Sequence, residues 1–305
     1  MSEKPTIGFI GVGLMGHGMA KNILQAGYPL VIKGNRNRAP VEDLVGQGAT
    51  EVGSPREMAE RCDVIHLCLS NAPQVESVFH GPDGILAGAR PGLIVIDCST
   101  SDPNVTLALA AALGEAGGKM VDAPLGRTPK EAEAGTLDTM VGAEAEVFDC
   151  VQPILSCWAG NINHVGGVGD GHKMKLLMNL ISMSYAALYA EVTALGAKVG
   201  IAPATVQKVI GSSRLGNGFF DTFMSYAVDR DRDAHKFTIE NGSKDVRYAN
   251  SMAAEAGALS LIASATHQYL THAEAIGHAQ DYVPMLADHV ARLNGVDLEE
   301  EASKR

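Results

Sequence analysis

Residues 6–20 read TIGFIGVGLMGHGMA, and the reading of this stretch decides the first half of the chain. Thr6–Ile10 is a short β-type run that passes without a break into Gly11-Val12-Gly13-Leu14-Met15-Gly16, followed by a helical segment ending near Gly27. A lone GxGxxG carries little weight. Placed after a strand and opening a helix, its glycines permit a tight turn and close approach of a pyrophosphate to the helix N-terminus. Gly11, Gly13, Leu14, Met15 and Gly16 are therefore candidate dinucleotide-binding residues. The competing reading is a glycine-rich turn with no ligand.

Leu30–Lys33 is the second strand. A carboxylate that would bind a ribose 2′-hydroxyl is expected at its end, yet the next acid is Glu42 and the intervening stretch is Lys33-Gly34-Asn35-Arg36-Asn37-Arg38. A 2′-phosphate suits this basic segment better, so NADP(H) is favoured over NAD(H), with Asn35 and Arg36 as its readers. The alternative is a solvated basic turn. Helices are expected at Glu42–Gln47, Pro55–Arg61, 74–80, Asn104–Ala116 and Glu144–Ile154, with strands at Val64–Leu69, Leu93–Asp97, Lys119–Asp122, within 134–142 and at Ile162–Val165. This alternation predicts a parallel sheet with helical crossovers, whose strand ends carry ligand-binding loops. Leu69, Asn71, Ser99 and Thr100 lie at such ends. They are cofactor or substrate candidates; helix capping by Asn or Ser is the other account of the polar ones.

The second half opens at Gly166–Lys198, a glycine-rich turn followed by a long proline-free helix. Met174, Leu177, Ile181, Ala187 and Leu188 predict a buried spine. Lys175 and Asn179 are four apart and share a face. A buried amine without a task costs free energy, so Lys175 is a candidate proton donor and Asn179 its hydrogen-bonding neighbour; exposed first-turn lysines at 173 and 175 are the alternative. From there the pattern is helical throughout: Pro203–Ile210, Phe219–Val228, Ser243–Ala256, Ser260–Ala275 and Val283–Leu293, with a charged, frayed end at 299–305. The expected fold is α/β, an N-terminal Rossmann-type dinucleotide-binding domain (1–167) followed by an all-helical C-terminal domain (168–305).

Composition excludes several classes. With 46% hydrophobic and 19% charged residues and a net charge of -11, the chain offers no general nucleic-acid surface. No uninterrupted apolar run reaches the roughly 18 residues of a membrane span, and the start, MSEKP, is unlike a secretory signal. The five cysteines (62, 68, 98, 150, 157) have no metal-type spacing and the ten histidines form no HExxH. Reduced thiols, a cytoplasmic setting and no metal are expected.

Taken together, the glycine fingerprint with Met15 and Met19, Asp97-Cys98-Ser99-Thr100, Asp122-Ala123-Pro124, Gly135-Thr136-Leu137, Gly169-Asp170-Gly171-His172-Lys173-Met174-Lys175 ending in Asn179, and Lys244-Asp245 resemble the β-hydroxyacid dehydrogenase family over residues 5–295. That family includes 3-hydroxyisobutyrate dehydrogenase and tartronate semialdehyde reductase. The resemblance implies that Lys175 is the catalytic acid/base, Asn179 orients the substrate, Asn71 and Thr100 lie by the nicotinamide, and Lys244 sits at the cofactor's edge. It also implies a homodimer or homotetramer built through the helical half. One departure stands out. Where most of the family carries Ser-Gly-Gly, this chain has Gly126-Arg127-Thr128, an anionic head-group clamp with an always-charged fork. This variant resembles the sulfolactaldehyde reductase branch and implies a sulfonate aldehyde such as 3-sulfolactaldehyde, interconverted with 2,3-dihydroxypropane-1-sulfonate. The carboxylate alternatives are 3-hydroxyisobutyrate, tartronate semialdehyde and succinic semialdehyde/4-hydroxybutyrate. The branch prefers NADH and has an acid after its second strand, unlike Asn35-Arg36. A catalytically silent NADP-binding protein is the reading from outside the enzymes.

Overall fold

The computed structural model describes residues 4–304. The chain forms two compact units, the first running to Lys175 and the second beginning at Leu176. In the first, strands β1 (Ile7–Ile10), β2 (Leu30–Lys33), β3 (Thr50–Glu51), β4 (Val64–Leu67), β5 (Ile94–Asp97), β6 (Lys119–Asp122), β7 (Leu125–Gly126), β8 (Leu137–Gly142) and β9 (Ala159–Gly166) make one sheet. Its order is β3-β2-β1-β4-β5-β6-β8-β7, with β9 on β8. Helices α1 (Gly16–Gln25), α2 (Ala39–Gly46), α3 (Pro55–Arg61), α4 (Ala72–Phe79), α5 (Ile85–Gly88), α6 (Pro103–Glu115), α7 (Pro129–Ala134) and α8 (Ala145–Leu155) connect the strands.

Strands β1 to β6 are parallel, as the sequence predicts for all but the short β3, which it did not reveal. The sheet then departs from expectation, because β8 runs antiparallel to both β6 and β7. The parallel strands are apolar on both sides. Ile7, Phe9, Leu30, Ile32, Val64, Ile96 and Val121 enter one core cluster; the alternating Ile10, Val31, Ile65, Leu67, Val95 and Met120 enter another. A period of two with both faces covered by helices accounts for the near-continuous apolar runs. His66 takes a core position on the first face, stacked on Phe9 at 5.5 Å and edge-on to Trp158 at 6.3 Å. Burial pushes its imidazole down to about 3.

Helix α9 (Asp170–Lys198) carries the chain from one unit into the other. It is followed by α10 (Pro203–Gly211), α11 (Gly218–Ala227), α12 (Ile239–Glu255), α13 (Leu261–Ala275), a 3-10 turn (Val283–Met285), α14 (Leu286–Leu293) and α15 (Leu298–Ser303). The expectation of a wholly buried α9 fails. Leu176, Met183, Ala186, Ala187, Ala190 and Ala194 are buried at helical spacing, whereas Met174, Leu177, Ile181 and Leu188 are 38–54% exposed. The helix has two apolar faces, and only one packs into this chain's core. By length and composition it is the one helix among the described residues that could cross a membrane; its packed face, with Met183 to Ala194 in the second unit's core cluster, is what a core helix presents.

The frayed C-terminal end is also corrected in part. α15 is held by Asp297, whose carboxylate accepts the amides of Glu299 and Glu300 at 3.0 and 3.1 Å. Leu298 and Ala302, one turn apart, are buried. Acids at 299–301 in a first turn favour the helix rather than its fraying. Position 305 of that expectation lies outside the described residues.

Candidate active site

The turn after β1 is shaped by contact rather than by flexibility. A Cβ on Gly11, whose φ is +99°, would lie 2.2 Å from the Cys68 carbonyl oxygen at the end of β4, and one on Gly16 would lie 2.0 Å from the Gly11 carbonyl oxygen. Only glycine lets the helix start so close to the strand end. Met15 caps α1 with no side-chain bond and the first turn holds no acid, so the helix presents its orphan amides and positive end to an anion. Nothing lies within 4 Å of where a Gly13 Cβ would be, and Leu14 is 83% exposed at the tip. The turn faces the β1–β4 neighbourhood, where the strand order reverses and open α/β sheets bind nucleotides. These features fit a dinucleotide pyrophosphate.

Beyond β2, Asn35 and Arg36 are exposed. Arg38 is taken by Glu51, to which its two Nη atoms donate at 2.8 and 2.7 Å. Among the described residues Arg36 has no ion-pair partner. A contact that the sequence did not suggest lies in the first turn of α1. His17 bridges Glu133 at 2.7 Å and Asp43 at 2.8 Å. Burial works against its charge, but the bonds to the two carboxylates outweigh it and hold its pKa above the usual value.

Ser99 and Leu69 meet. The buried Ser99 hydroxyl accepts the Leu69 amide at 2.9 Å, while the Ser99 amide donates to Asp97 at 2.9 Å. The serine thereby fastens the end of β4 to that of β5, a structural engagement of a hydroxyl expected to meet substrate. Asn71 caps α4, accepting the Gln74 amide at 3.0 Å, and Thr100 is half-buried beside Ser99.

The least foreseen part is a buried hub at the start of α9. The Asp122 carboxylate accepts the Gly169 amide at 2.6 Å and the His172 amide at 2.7 Å, capping the helix. The His172 ring lies 3.0 Å from the Ser99 carbonyl through Nε2 and 2.8 Å from the Thr106 hydroxyl through Nδ1. In the neutral ring these contacts make Nε2–H the donor to Ser99 and Nδ1 the acceptor. Burial raises the Asp122 pKa against the lowering effect of His172 and the two amide bonds. The hub joins β5, α6, β6 and the first turn of α9, and Lys175, half-buried, follows three residues on. Its sequence signal was an apolar run closed by an acid, Ile94-Val95-Ile96 before Asp97 and Met120-Val121 before Asp122.

In the second unit Asn179 is 8% exposed and donates to Asp245 at 2.5 Å. The Lys244 ammonium is 3.1 Å from the other Asp245 oxygen. Two residues picked out separately, Asn179 and Lys244, are thus joined by a buried carboxylate. Lys175 and Asn179 are one turn apart on α9.

Gly126 ends β7 and pairs with Asp138 across the β7–β8 hairpin. Arg127 adopts φ +77°, a left-handed conformation uncommon for a residue with a side chain. Its Nε donates to Asp138 at 2.8 Å. The Thr128 amide donates to Glu131 at 3.1 Å as α7 begins. The expected clamp is therefore already engaged with two carboxylates. The cysteines beside the strands are inert: burial pushes Cys62 and Cys68 up to about 12.

A 3-2-1-4-5-6 parallel order with a glycine turn against an uncapped helix defines a Rossmann-type dinucleotide-binding domain. Residues 6–166 match a family model described as the NAD binding domain of 6-phosphogluconate dehydrogenase, and residues 169–287 match one described as NAD-binding of NADP-dependent 3-hydroxyisobutyrate dehydrogenase. The chain is 40% identical over 213 residues to 2-(hydroxymethyl)glutarate dehydrogenase of Eubacterium barkeri, covering 70% of each chain. It is 32% identical over 281 residues to 3-sulfolactaldehyde reductase of Escherichia coli (strain K12), covering 92% of this chain and 94% of that one. A solved Mycobacterium tuberculosis 3-hydroxyisobutyrate dehydrogenase with L-serine matches with a TM-score of 0.84 at 25% identity, over 94% of this chain and 99% of that one. The chain belongs to the 3-hydroxyisobutyrate dehydrogenase-like family of NAD(P)-binding oxidoreductases. It is an NAD(P)-dependent dehydrogenase or reductase acting on a CH–OH group of a small hydroxy- or oxo-acid or a related compound.

Proposed function

We infer that the chain reduces a small aldehyde bearing an anionic head group, 3-sulfolactaldehyde being the proposed substrate, and that NADP(H) is its preferred dinucleotide. The observation that carries the head-group reading is Arg127, held in a left-handed turn that a glycine would occupy without strain. A guanidinium placed at such cost suits recognition of a multi-oxygen anion, and Asp138 holds it in orientation through Nε, leaving the Nη edge for the ligand. A bound nicotinamide supplies the hydride. The chain's part is to hold the substrate and move a proton: Lys175 protonates the aldehyde oxygen in reduction and accepts that proton in oxidation, and Asn179 orients the reacting group. Asp245 fixes the Asn179 amide by accepting from its Nδ2, which leaves the amide oxygen as the acceptor in this role.

The NADP(H) preference rests on Arg36 and Asn35 and on the absence of an acid before Glu42. The outward apolar stripe of α9, Leu177, Ile181 and Leu188 among it, supports assembly of the helical half with a second copy, giving a homodimer or homotetramer. The odd number and the spacing of the five cysteines are the basis for placing the enzyme in the cytoplasm. A carboxylate head group is the second reading, favoured by the 40% identity to a glutarate-type dehydrogenase.

Arg127→Gly tests the head-group reading. The backbone accepts glycine, so the fold is kept. Loss of a charged hydrogen bond corresponds to roughly a 10- to 150-fold rise in KM for the sulfonate aldehyde, with dinucleotide affinity unchanged. An unaltered KM removes Arg127 from the site. Wild-type turnover of carboxylate semialdehydes at least as efficient as that of the sulfonate hands the assignment to the second reading.

A further inference from the structure

His278, Asp281 and His289 lie in the second unit, and none belongs to the active-site residues above. His278 and Asp281 occupy the turn after α13, and His289 is on α14. Each offers one ligand atom, and these atoms lie within 4.8 Å of one another. His278 Nδ1 is 2.9 Å and His289 Nε2 is 3.1 Å from the same oxygen, Asp281 Oδ2. The two imidazoles lie 4.3 Å apart by ring centroid, tilted by 42°. Around a tetrahedral ion with ligand bonds of about 2.0–2.1 Å, neighbouring ligand atoms are about 3.3 Å apart. Two of the three edges are therefore within a few tenths of an ångström of that spacing.

We propose that His278, Asp281 and His289 form a binding site for a divalent transition metal of the zinc, cobalt or nickel type, which fastens the turn after α13 to α14. Two imidazoles with one carboxylate suit these ions, and the set is short of the oxygens that calcium or magnesium requires. The turn is already rigid: the Asp281 carbonyl accepts the Ile239 amide at 2.8 Å, the Ala279 carbonyl accepts the Glu240 amide at 3.0 Å, and the Asp281 amide donates to the His278 carbonyl at 3.1 Å. Little ordering is left for an ion to impose. His289 is 2% exposed, while His278 and Asp281 are 38% and 27% exposed by side chain. The inner ligand is thus fixed and the outer edge open to an entering ion and to water as a fourth ligand. With Nε2 on the ion, Nδ1 carries the ring proton. That atom is buried without a hydrogen-bond partner among the described residues, so the histidine lacks the outer bond that strengthens many metal ligands. Micromolar rather than nanomolar affinity is expected.

The test uses tag-free, chelator-treated full-length protein, titrated with Zn²⁺ against a chromophoric competitor, with Mg²⁺ and Ca²⁺ as controls. One Zn²⁺ per chain, a raised melting temperature and no response to the controls are expected. Affinity should fall at least about tenfold in both His278→Ala and Asp281→Asn. Should the first variant lose its folded circular dichroism spectrum, the near-isosteric Asp281→Asn carries the comparison alone. The proposal is overturned by the absence of saturable Zn²⁺ binding, or by wild-type stoichiometry and affinity in the folded variants, which would move the ion to the cysteines or other histidines.

Discussion

Replacing Asp122 by Asn removes half of the cap on α9 while preserving its shape. The carboxylate accepts two amides, from Gly169 and His172, at 2.6 and 2.7 Å. An asparagine keeps one acceptor and turns an NH₂ toward the other amide, donor against donor. A hydrogen bond to a charged group contributes about 1.5–3 kcal/mol. Against that loss stands some relief, because burial holds the Asp122 carboxyl above the usual carboxylate range and its ionised form is costly near neutrality. The net expectation is a destabilisation of about 2 kcal/mol, which at roughly 2–4 °C per kcal/mol lowers the melting temperature by about 4–8 °C. The same change loosens the first turn of α9, and Lys175 lies in the next turn. Small misplacements of a reacting group are expensive, on the order of a hundredfold in rate for about 1 Å, so kcat should fall tenfold or more. Dinucleotide affinity should hold, because the glycine turn after β1 shares no bond with Asp122. Thermal unfolding, steady-state kinetics and a dinucleotide titration on one preparation read all three quantities. A variant that melts within about 1 °C of the parent with unchanged kcat refutes the hub's role in positioning α9.

Cofactor choice and acid stability give two more expectations. Arg36→Asp should reverse the ratio of kcat/KM with NADPH to that with NADH, since an acid at the end of β2 repels a 2′-phosphate and accepts a 2′-hydroxyl; an unchanged ratio removes Arg36 as the reader. His66 is held neutral by burial, with its pKa pushed down to about 3, whereas in the unfolded chain it titrates near 6.5. Between those values the unfolded state binds more protons, so this contribution to stability is intact above about 6.5 and is lost progressively as pH falls toward 3. His66→Leu should flatten that acid limb in denaturant midpoints measured from pH 7 to 4. Parallel curves for the two proteins would contradict it.

The legible parts of the sequence were those set by short-range sterics. Gly11 and Gly16 are required by backbone atoms within the same turn or at the adjoining strand end, and the i, i+4 spacing of Lys175 and Asn179 follows from helix geometry alone. Strands β1, β2, β4, β5 and β6 were readable from their buried apolar runs, whereas the two-residue β3, Thr50–Glu51, is exposed and carries no such signal. Pairings between distant residues were not. Arg127 stood out as a charge in a loop, but its ion pair with Asp138 depends on the register of the β7–β8 hairpin, and the antiparallel turn of β8 has no local signature. His172 reaches Thr106 and Ser99 across 66 and 73 residues of sequence. Hydropathy placed α9 in the core without revealing that one of its apolar faces points outward, because apolar periodicity records burial in an assembly as readily as burial in a chain. The short α7 was hidden by its opening Pro129 and the following Gly135, and α15 by its charge.

In the proposed mechanism Lys175 moves the proton to and from the substrate oxygen while other residues hold the dinucleotide. Single-turnover reduction by Lys175→Ala, measured beside its NADPH dissociation constant, tests this most directly. The expected result is a rate lower by at least about 10²-fold, the lower range for a lost general acid, with a dissociation constant within about twofold of the parent, since the lysine makes no part of the glycine turn. A variant that turns over at the parental rate, or that loses NADPH binding in proportion to its rate, would contradict the account.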